Sequence, residues 1–275
     1  VDPSDGRHLL VGSAGGGVWE THDRGRTWAP RTDDQPSLGI GALAFDPSDP
    51  AKVYAGTGEG NTKEVPGQGL LRSADGGTTW RLTKAKEVVD PFFYCLLVDP
   101  TAGDRLFAAT TGGVLVSNNG GHTWKQTLKA STWDLSLGRS ANGSIELLAA
   151  SMNGLYRSQD GGSMWQRVHL PWGPKNFANT YGRMAVCHAP TDPGVAYAFA
   201  AREDIVWLWR RERGGGDFFR IKLPSLDPPG GPPGYGISQA WYDWCLAIAP
   251  DDPDTVLLGA IDLFRGHRSS KGERK

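Results

Sequence analysis

One eight-residue pattern recurs along this chain and limits its fold more than any other feature. Residues 21–28 read THDRGRTW, 73–80 SADGGTTW, 117–124 SNNGGHTW and 158–165 SQDGGSMW. The shared form is S/T-x-D/N-x-G-x-T-W, with Met164 in the Thr position of the last copy, and the tryptophans are 52, 44 and 41 residues apart. A fixed period of this size is the mark of a stack of small, similar units. A fifth, eroded copy fits residues 208–219, where a Phe of the Phe218-Phe219 pair stands for the tryptophan.

The pattern has a direct physical reading as a hairpin. An Asp or Asn side chain can accept hydrogen bonds from backbone N–H groups two or more residues on. Glycine takes the positive-φ position of a tight turn without steric cost. Asp23, Asp75, Asn119 and Asp160 are therefore expected to organise the turns, and Trp28, Trp80, Trp124 and Trp165 to fold back between neighbouring sheets. Burial of each ring would contribute a few kcal/mol, on the order of 25 cal/mol per Å² of apolar surface.

A second element recurs in phase with the first. Residues 42–56 and 95–109 each read as an apolar strand, an Asp/Pro turn and a second apolar strand, and later copies occupy 185–200 and 245–259. Each unit then holds strand A, a Pro turn, strand B, a connection, strand C (GLLRS, GVLVS, GLYRS), the Asp turn and strand D. Four short strands in about 41–53 residues is the size of one propeller blade. The expected fold is all-β: a β-propeller of four-stranded antiparallel blades, five near-complete and one partial. The units fall at about 1–36, 37–88, 89–130, 131–172, 181–224 and 240–265, followed by a basic tail at 266–275. An uncovered strand edge is a liability, so the chain reads as part of a longer propeller whose remaining blades lie elsewhere.

These segments resemble Asp-box (BNR) repeats. Over essentially its whole length the chain is similar to the propeller superfamily of sialidases, xyloglucanases, sortilin-type receptors and photosystem II assembly factors. Residues 15–23 (GGGVWETHD) and 56–61 (GTGEGN) look most like the sortilin-type bacterial branch. The resemblance implies a propeller fold and, because bacterial relatives are often exported, an extracellular or periplasmic location. It does not choose among hydrolase, receptor and assembly factor.

Composition narrows the partners. Of 275 residues, 29 are basic and 30 acidic, which leaves a net charge of −1 and no electrostatic pull toward nucleic acid or anionic membrane. No apolar run approaches the roughly 18–20 residues of a membrane span, and the first ten residues (VDPSDGRHLL) lack the basic and apolar regions of a signal peptide. Three cysteines make no disulfide scaffold; Cys95, Cys187 and Cys245 lie at or near strand-A positions and read as buried thiols. Six histidines show no HxxxH or HExxH spacing, so neither a metal nor any other cofactor is expected. The glycine clusters at 12–17 and 56–60 precede no helix and carry no GK[S/T], which makes them strand-end turns rather than phosphate loops. Asn142-Gly-Ser144 fits the glycosylation acceptor pattern by sequence alone.

A binding site is expected where the long connections gather. In propellers of this kind the A–B and C–D turns share one face, and the B–C and D–A connections the other. The long connections are 31–41, 58–69, 84–93, 127–134, 171–183 and 224–244, and variable loops on a rigid scaffold are where binding usually resides. They carry Asp34, Glu59, Asn61, Trp133, Asp134, Tyr181, Arg183, Tyr235, Trp241 and Tyr242 as candidate ligand contacts. Aromatic faces flanked by carboxylates and amides suit sugar rings and also suit an extended peptide; the same aromatics could instead plug gaps between blades. The favoured expectation is a non-catalytic propeller that binds a glycan, peptide or protein. The alternative is a glycoside hydrolase using a carboxylate pair drawn from Glu59, Asp134 and Asp243, with about 5–9.5 Å between carboxyl groups. The sialidase signature F/Y-R-I-P has its nearest match in FRIKLP at 219–224, interrupted by two residues and placed after the fourth Asp box.

Overall fold

A computed structural model describes residues 1–60, 65–89, 91–140, 143–171, 183–202, 205–213, 216–223, 245–260 and 262–268. Among these, the secondary structure is β throughout apart from a single 3-10 turn at Lys86–Val88. The strands form six antiparallel sheets, each a simple meander in chain order. The chain divides into two compact units, Val1–Thr132 and Trp133–Lys275.

The first unit holds three sheets. A three-stranded sheet comprises β1 (Leu9–Gly12), β2 (Val18–Thr21) and β3 (Ala29–Pro30). Two four-stranded sheets follow: β4 (Ile40–Phe45), β5 (Val53–Thr57), β6 (Leu70–Ser73) and β7 (Arg81–Thr83), then β8 (Phe93–Asp99), β9 (Ala102–Thr110), β10 (Gly113–Ser117) and β11 (Lys125–Leu128). Consecutive sheets share a core. Leu10 and Val18 pack with Ile40, Val53, Leu71 and Trp80, while Tyr54 and Leu70 pack with Phe93, Leu106, Leu115 and Trp124. Close approach demands small residues on the inner strands: a Cβ at Gly41 would lie 2.0 Å from the Phe93 carbonyl oxygen, and one at Gly56 2.2 Å from the Phe93 ring.

The second unit repeats the plan with β12 (Thr132–Arg139, whose first residue closes the first unit), β13 (Ile145–Ser151), β14 (Gly154–Ser158) and β15 (Gln166–Arg167). Next come β16 (Met184–His188), β17 (Ala196–Arg202), β18 (Ile205–Arg211) and β19 (Phe219–Ile221), then β20 (Cys245–Ala249), β21 (Asp252–Gly259) and β22 (Leu263–His267). One core joins Leu148 and Leu155 to Val186, Trp209 and Phe218, and another joins Tyr197, Phe199 and Leu208 to Ile248 and Val256. Antiparallel four-stranded meanders that bury both faces against their sequence neighbours are propeller blades.

The Asp turns close as expected. In the second one the Asp75 carboxylate accepts the Ser73 hydroxyl at 2.7 Å, the Thr79 amide at 2.9 Å and the Thr79 hydroxyl at 2.5 Å. Gly76 and Gly77 take φ of +75° and +100°. In the first turn Arg24, at φ +64°, fills the left-handed place that glycine fills in the other three. The tryptophan indoles donate to the turn glycines, Trp80 to the Gly77 carbonyl at 2.8 Å and Trp124 to that of Gly121 at 3.0 Å.

Their burial is less uniform than the repeat suggests. Trp80 and Trp124 are buried and Trp165 is half-buried, but Trp28 is 38% exposed. Trp80 lies on side chains of the first sheet and Trp124 on those of the second. Each ring covers the sheet before its own, and Trp28 belongs to the first sheet of its unit. In the eroded fifth turn, Phe218 takes the same role against the fourth sheet. Two further expectations are revised. Of the three cysteines read as buried thiols, Cys245 is exposed and Cys95 and Cys187 are half-buried. Strand β22 runs to His267, past the expected start of the tail, because Thr255 pairs with His267 and Val256 with Gly266.

Candidate functional site

The long connections hold their described residues by specific contacts. Asp34 is exposed and accepts the Gln35 side-chain amide at 3.1 Å. Glu59 is buried at the start of the connection between β5 and β6, with its backbone N–H donated to the Val65 carbonyl at 3.0 Å. That connection is tied to the next sheet by the Tyr94 hydroxyl, which donates to the Gly60 carbonyl at 3.0 Å. Trp133 is half-buried and packs against the core under β13 and β16. Arg183 is also half-buried, immediately before β16. Asn61, Tyr181, Tyr235, Trp241, Tyr242 and Asp243 lie outside the described residues.

Asp134 sits on inner strand β12 and serves as a tie between strands. One carboxylate oxygen accepts the Leu135 N–H at 2.9 Å and the other the Val186 N–H, also at 2.9 Å, across to β16. Two residues along the same strand, Ser136 repeats the device: its hydroxyl oxygen accepts the His188 N–H at 2.8 Å and faces His188 Nδ1 at 2.8 Å. Of the carboxylates considered for hydrolysis, Glu59 lies in the first unit and Asp134 in the second.

The structure also assembles two buried charge clusters that motif spacing does not reveal. In the second unit, the fully buried Glu146 on β13 meets His188 (Nε2 to Oε1, 3.2 Å), Arg211 (2.5 Å) and Arg157 (Nε to Oε2, 2.5 Å). Burial alone would raise the Glu146 pKa, but the His188 hydrogen bond and the two guanidinium groups hold it at about 2. Burial pushes the His188 pKa down, keeping its ring neutral. A consistent tautomer follows: Nε2–H donates to Glu146 and Nδ1 accepts the Ser136 hydroxyl. The cluster is sealed, with the Arg211 side chain only 2% exposed, and it staples the fourth sheet to the fifth.

In the first unit, buried Glu20 on β2 meets His8 (Nε2 to Oε1, 3.0 Å), His22 (Nε2 to Oε1, 3.3 Å) and Arg31 (Nε to Oε2, 2.6 Å). His8 Nδ1 faces Asp2 at 2.8 Å. Burial would raise the Asp2 pKa, yet hydrogen bonds from His8 and Ser4 bring it down to about 2. The His8 and His22 rings stack at 4.4 Å. This cluster is open to solvent, because the His22 side chain is 64% exposed. The available sequence signal was a charged residue inside each short apolar strand, Glu20 in GVWET and Glu146 in IELLAAS.

No family model matches the chain. Among curated proteins it is 28% identical over 207 residues to a xyloglucanase of Paenibacillus sp, covering 61% of this chain and 20% of that protein. It is 24% identical over 287 residues to a probable oligoxyloglucan-reducing end-specific xyloglucanase of Neosartorya fischeri, covering 87% and 34%. The chain thus spans about a fifth to a third of the curated relatives it matches. Among solved structures, an ancestral GH74 enzyme gives a TM-score of 0.71 at 19% identity over 99% of this chain and 36% of its own. The GH74 xyloglucanase of Xanthomonas campestris gives 0.69 at 17% over 100% and 45%. A YCF48 protein bound to a D1 peptide gives 0.60 at 16% over 97% and 76%. By fold the chain is a β-propeller, similar to those of glycoside hydrolases. No helix among the described residues is long and apolar enough to cross a membrane.

Proposed function

We propose that this chain is the glycan-recognising propeller portion of an exported, xyloglucanase-like protein, with an Asp-box framework and ligand contacts carried on its B–C and D–A connections. The observation that supports it is the pairing of a whole-chain likeness to GH74 propellers with sequence similarity to proteins named xyloglucanases. Within this reading the ligand contacts are Asp34, Glu59 and Asn61 in the first unit, and Trp133, Asp134, Tyr181, Arg183, Tyr235, Trp241 and Tyr242 in the second. The alternative is glycoside hydrolysis, which needs two carboxyl groups across one bond; it is supported by the sequence relatives named xyloglucanases, would draw its pair from Glu59, Asp134 and Asp243, and predicts release of reducing sugar.

Eleven tryptophans make thermal unfolding readable by intrinsic fluorescence. Xyloglucan oligosaccharides at a hundred times their Kd should stabilise the fold by about 2.7 kcal/mol, a midpoint rise of roughly 5–10 °C. Release of reducing sugar should stay at background. A melt unmoved by xyloglucan and cello-oligosaccharides would defeat the proposal. A second reading, peptide recognition, is supported by the YCF48 neighbour with its bound D1 peptide; it predicts that extended peptides move the melt and glycans do not.

A further inference from the structure

We propose that His8, Glu20 and His22 form a binding site for a zinc-class divalent cation, open to solvent on one side. The three ligand atoms, His8 Nε2, Glu20 Oε1 and His22 Nε2, all lie within 4.8 Å of one another, with 3.0 and 3.3 Å from the two nitrogens to the shared oxygen. Zinc bonds of 2.0–2.1 Å in a tetrahedron put ligand atoms about 3.3 Å apart. Two of the three edges are already near that length, and the third closes by a turn of the exposed His22 ring.

The surroundings of these ligands suit a cation at this place. Each ring nitrogen of His8 faces a carboxylate oxygen, Asp2 on one side and Glu20 on the other. His22 Nε2 points at the same Glu20 oxygen. A divalent ion satisfies all three atoms at once, leaving His8 Nδ1–H to donate to Asp2. That carboxylate–histidine relay is the usual outer support of a metal-bound imidazole. Arg31 holds the second Glu20 oxygen at 2.6 Å, so the carboxylate would ligate through Oε1 alone.

The surrounding chain holds the ligands in place. Glu20 lies in β2, and His22 is the x residue of the first Asp turn. Its neighbours Thr21 and Asp23 are locked together by a 2.7 Å hydrogen bond. The other three turns carry Ala74, Asn118 and Gln159 at this position, so only the first can ligate. The Glu146 cluster shows the contrast: its glutamate and histidine also meet, but Arg157 and Arg211 occupy the remaining places and leave no room for a cation. Three protein ligands with a solvent-facing fourth position is the pattern of zinc sites that keep an exchangeable water.

The test uses the whole chain stripped with chelator and titrated with Zn²⁺ by calorimetry, with Co²⁺ as a visible-band probe of coordination. One equivalent should bind, with a rise in the melting midpoint. His22→Gln, at an exposed position, should abolish binding while leaving the metal-free melt in place, and His22→Cys should restore it. Asp2→Asn should weaken affinity by about 10–100-fold, and His169→Gln should change nothing. Absence of saturable Zn²⁺ and Co²⁺ binding, or binding that survives His22→Gln, overturns the proposal. Should His22→Gln fail to fold, Asp2→Asn decides: unchanged affinity there refutes it.

Discussion

Replacing Glu146 by glutamine tests whether the sealed charge cluster holds the fourth and fifth sheets together. The substitution keeps size and removes the charge, leaving Arg211 buried at 2% side-chain exposure without its anion. Breaking a buried pair from one side costs about 3–5 kcal/mol, because the surviving charge is stranded away from water. Arg157 is 23% exposed and can turn toward solvent, so the penalty falls mainly on Arg211. At roughly 2–4 °C per kcal/mol for a chain of this size, the melting midpoint should fall by about 6–20 °C. Glu146→Gln combined with Arg211→Met removes the stranded charge and should recover much of the loss, a coupling on the order of 1–3 kcal/mol between contacting residues. Melts followed by tryptophan fluorescence and circular dichroism read both. A fall under about 2 °C for the single variant, or losses that simply add in the double, would refute the account.

The same cluster sets an acid limit. Glu146 has its folded pKa lowered to about 2 from an ordinary 4.5. A depressed carboxyl contributes stability that is present above pH 4.5 and lost as pH falls from there toward 2. The difference corresponds to about 3 kcal/mol. His188 is shifted down as well, by burial. The unfolded chain therefore takes up that proton first, and stability also erodes as pH drops below about 6.5. Both effects have the same sign, so the midpoint should decline steadily from pH 7 to pH 3. Glu146→Gln should flatten the part below pH 4.5.

Two further predictions follow from burial. Trp124→Ala removes a ring that packs on Tyr54, Leu70 and Phe93 and should cost about 3–5 kcal/mol. Trp28→Ala, in the same motif but 38% exposed, should cost well under half as much in parallel melts; equal losses would show that the turn, not the packing, carries the energy. Burial and the nearby Asp134 charge push the Cys187 thiol up to about 11, so about one part in a thousand is thiolate at pH 8. A thiol reagent at pH 8, with sites mapped by mass spectrometry, should label exposed Cys245 well before Cys187. Labelling of Cys187 at the same rate would contradict its placement.

The fold was legible in the sequence because its signals are local. An Asp side chain reaches N–H groups four residues on, and a turn glycine takes its φ within the hairpin, so the repeat encodes the blade without distant partners. Trp burial was harder to read. The indole is placed by its own turn, but what covers it is the preceding sheet, so Trp28 and Trp124 share a motif and differ in exposure. Phe218 shows the converse, since the motif has decayed and the packing role survives. Cys245 misled for a related reason: strand A reads as inner and buried, but exposure depends on what lies against it.

The Glu146 cluster was illegible because its members lie far apart in the sequence, and in the Glu20 cluster only His22 is a near neighbour, His8 lying twelve residues away. His188 meets Glu146 across 42 residues, and Arg211 comes from a third strand further on. Short strands of adjacent sheets place these side chains at fixed separations, which no pattern of histidines can report. The same geometry decides what each cluster can do. Around Glu146 two guanidinium groups satisfy the carboxylate from both sides, and the result is a closed staple. Around Glu20 a single guanidinium takes one oxygen, and two imidazoles share the other at the edge of solvent. One arginine fewer is the difference between a sealed structural cluster and an anionic, nitrogen-lined opening. A blade framework that repeats its turns can therefore vary its chemistry by changing a single strand-borne partner, with the fold left intact.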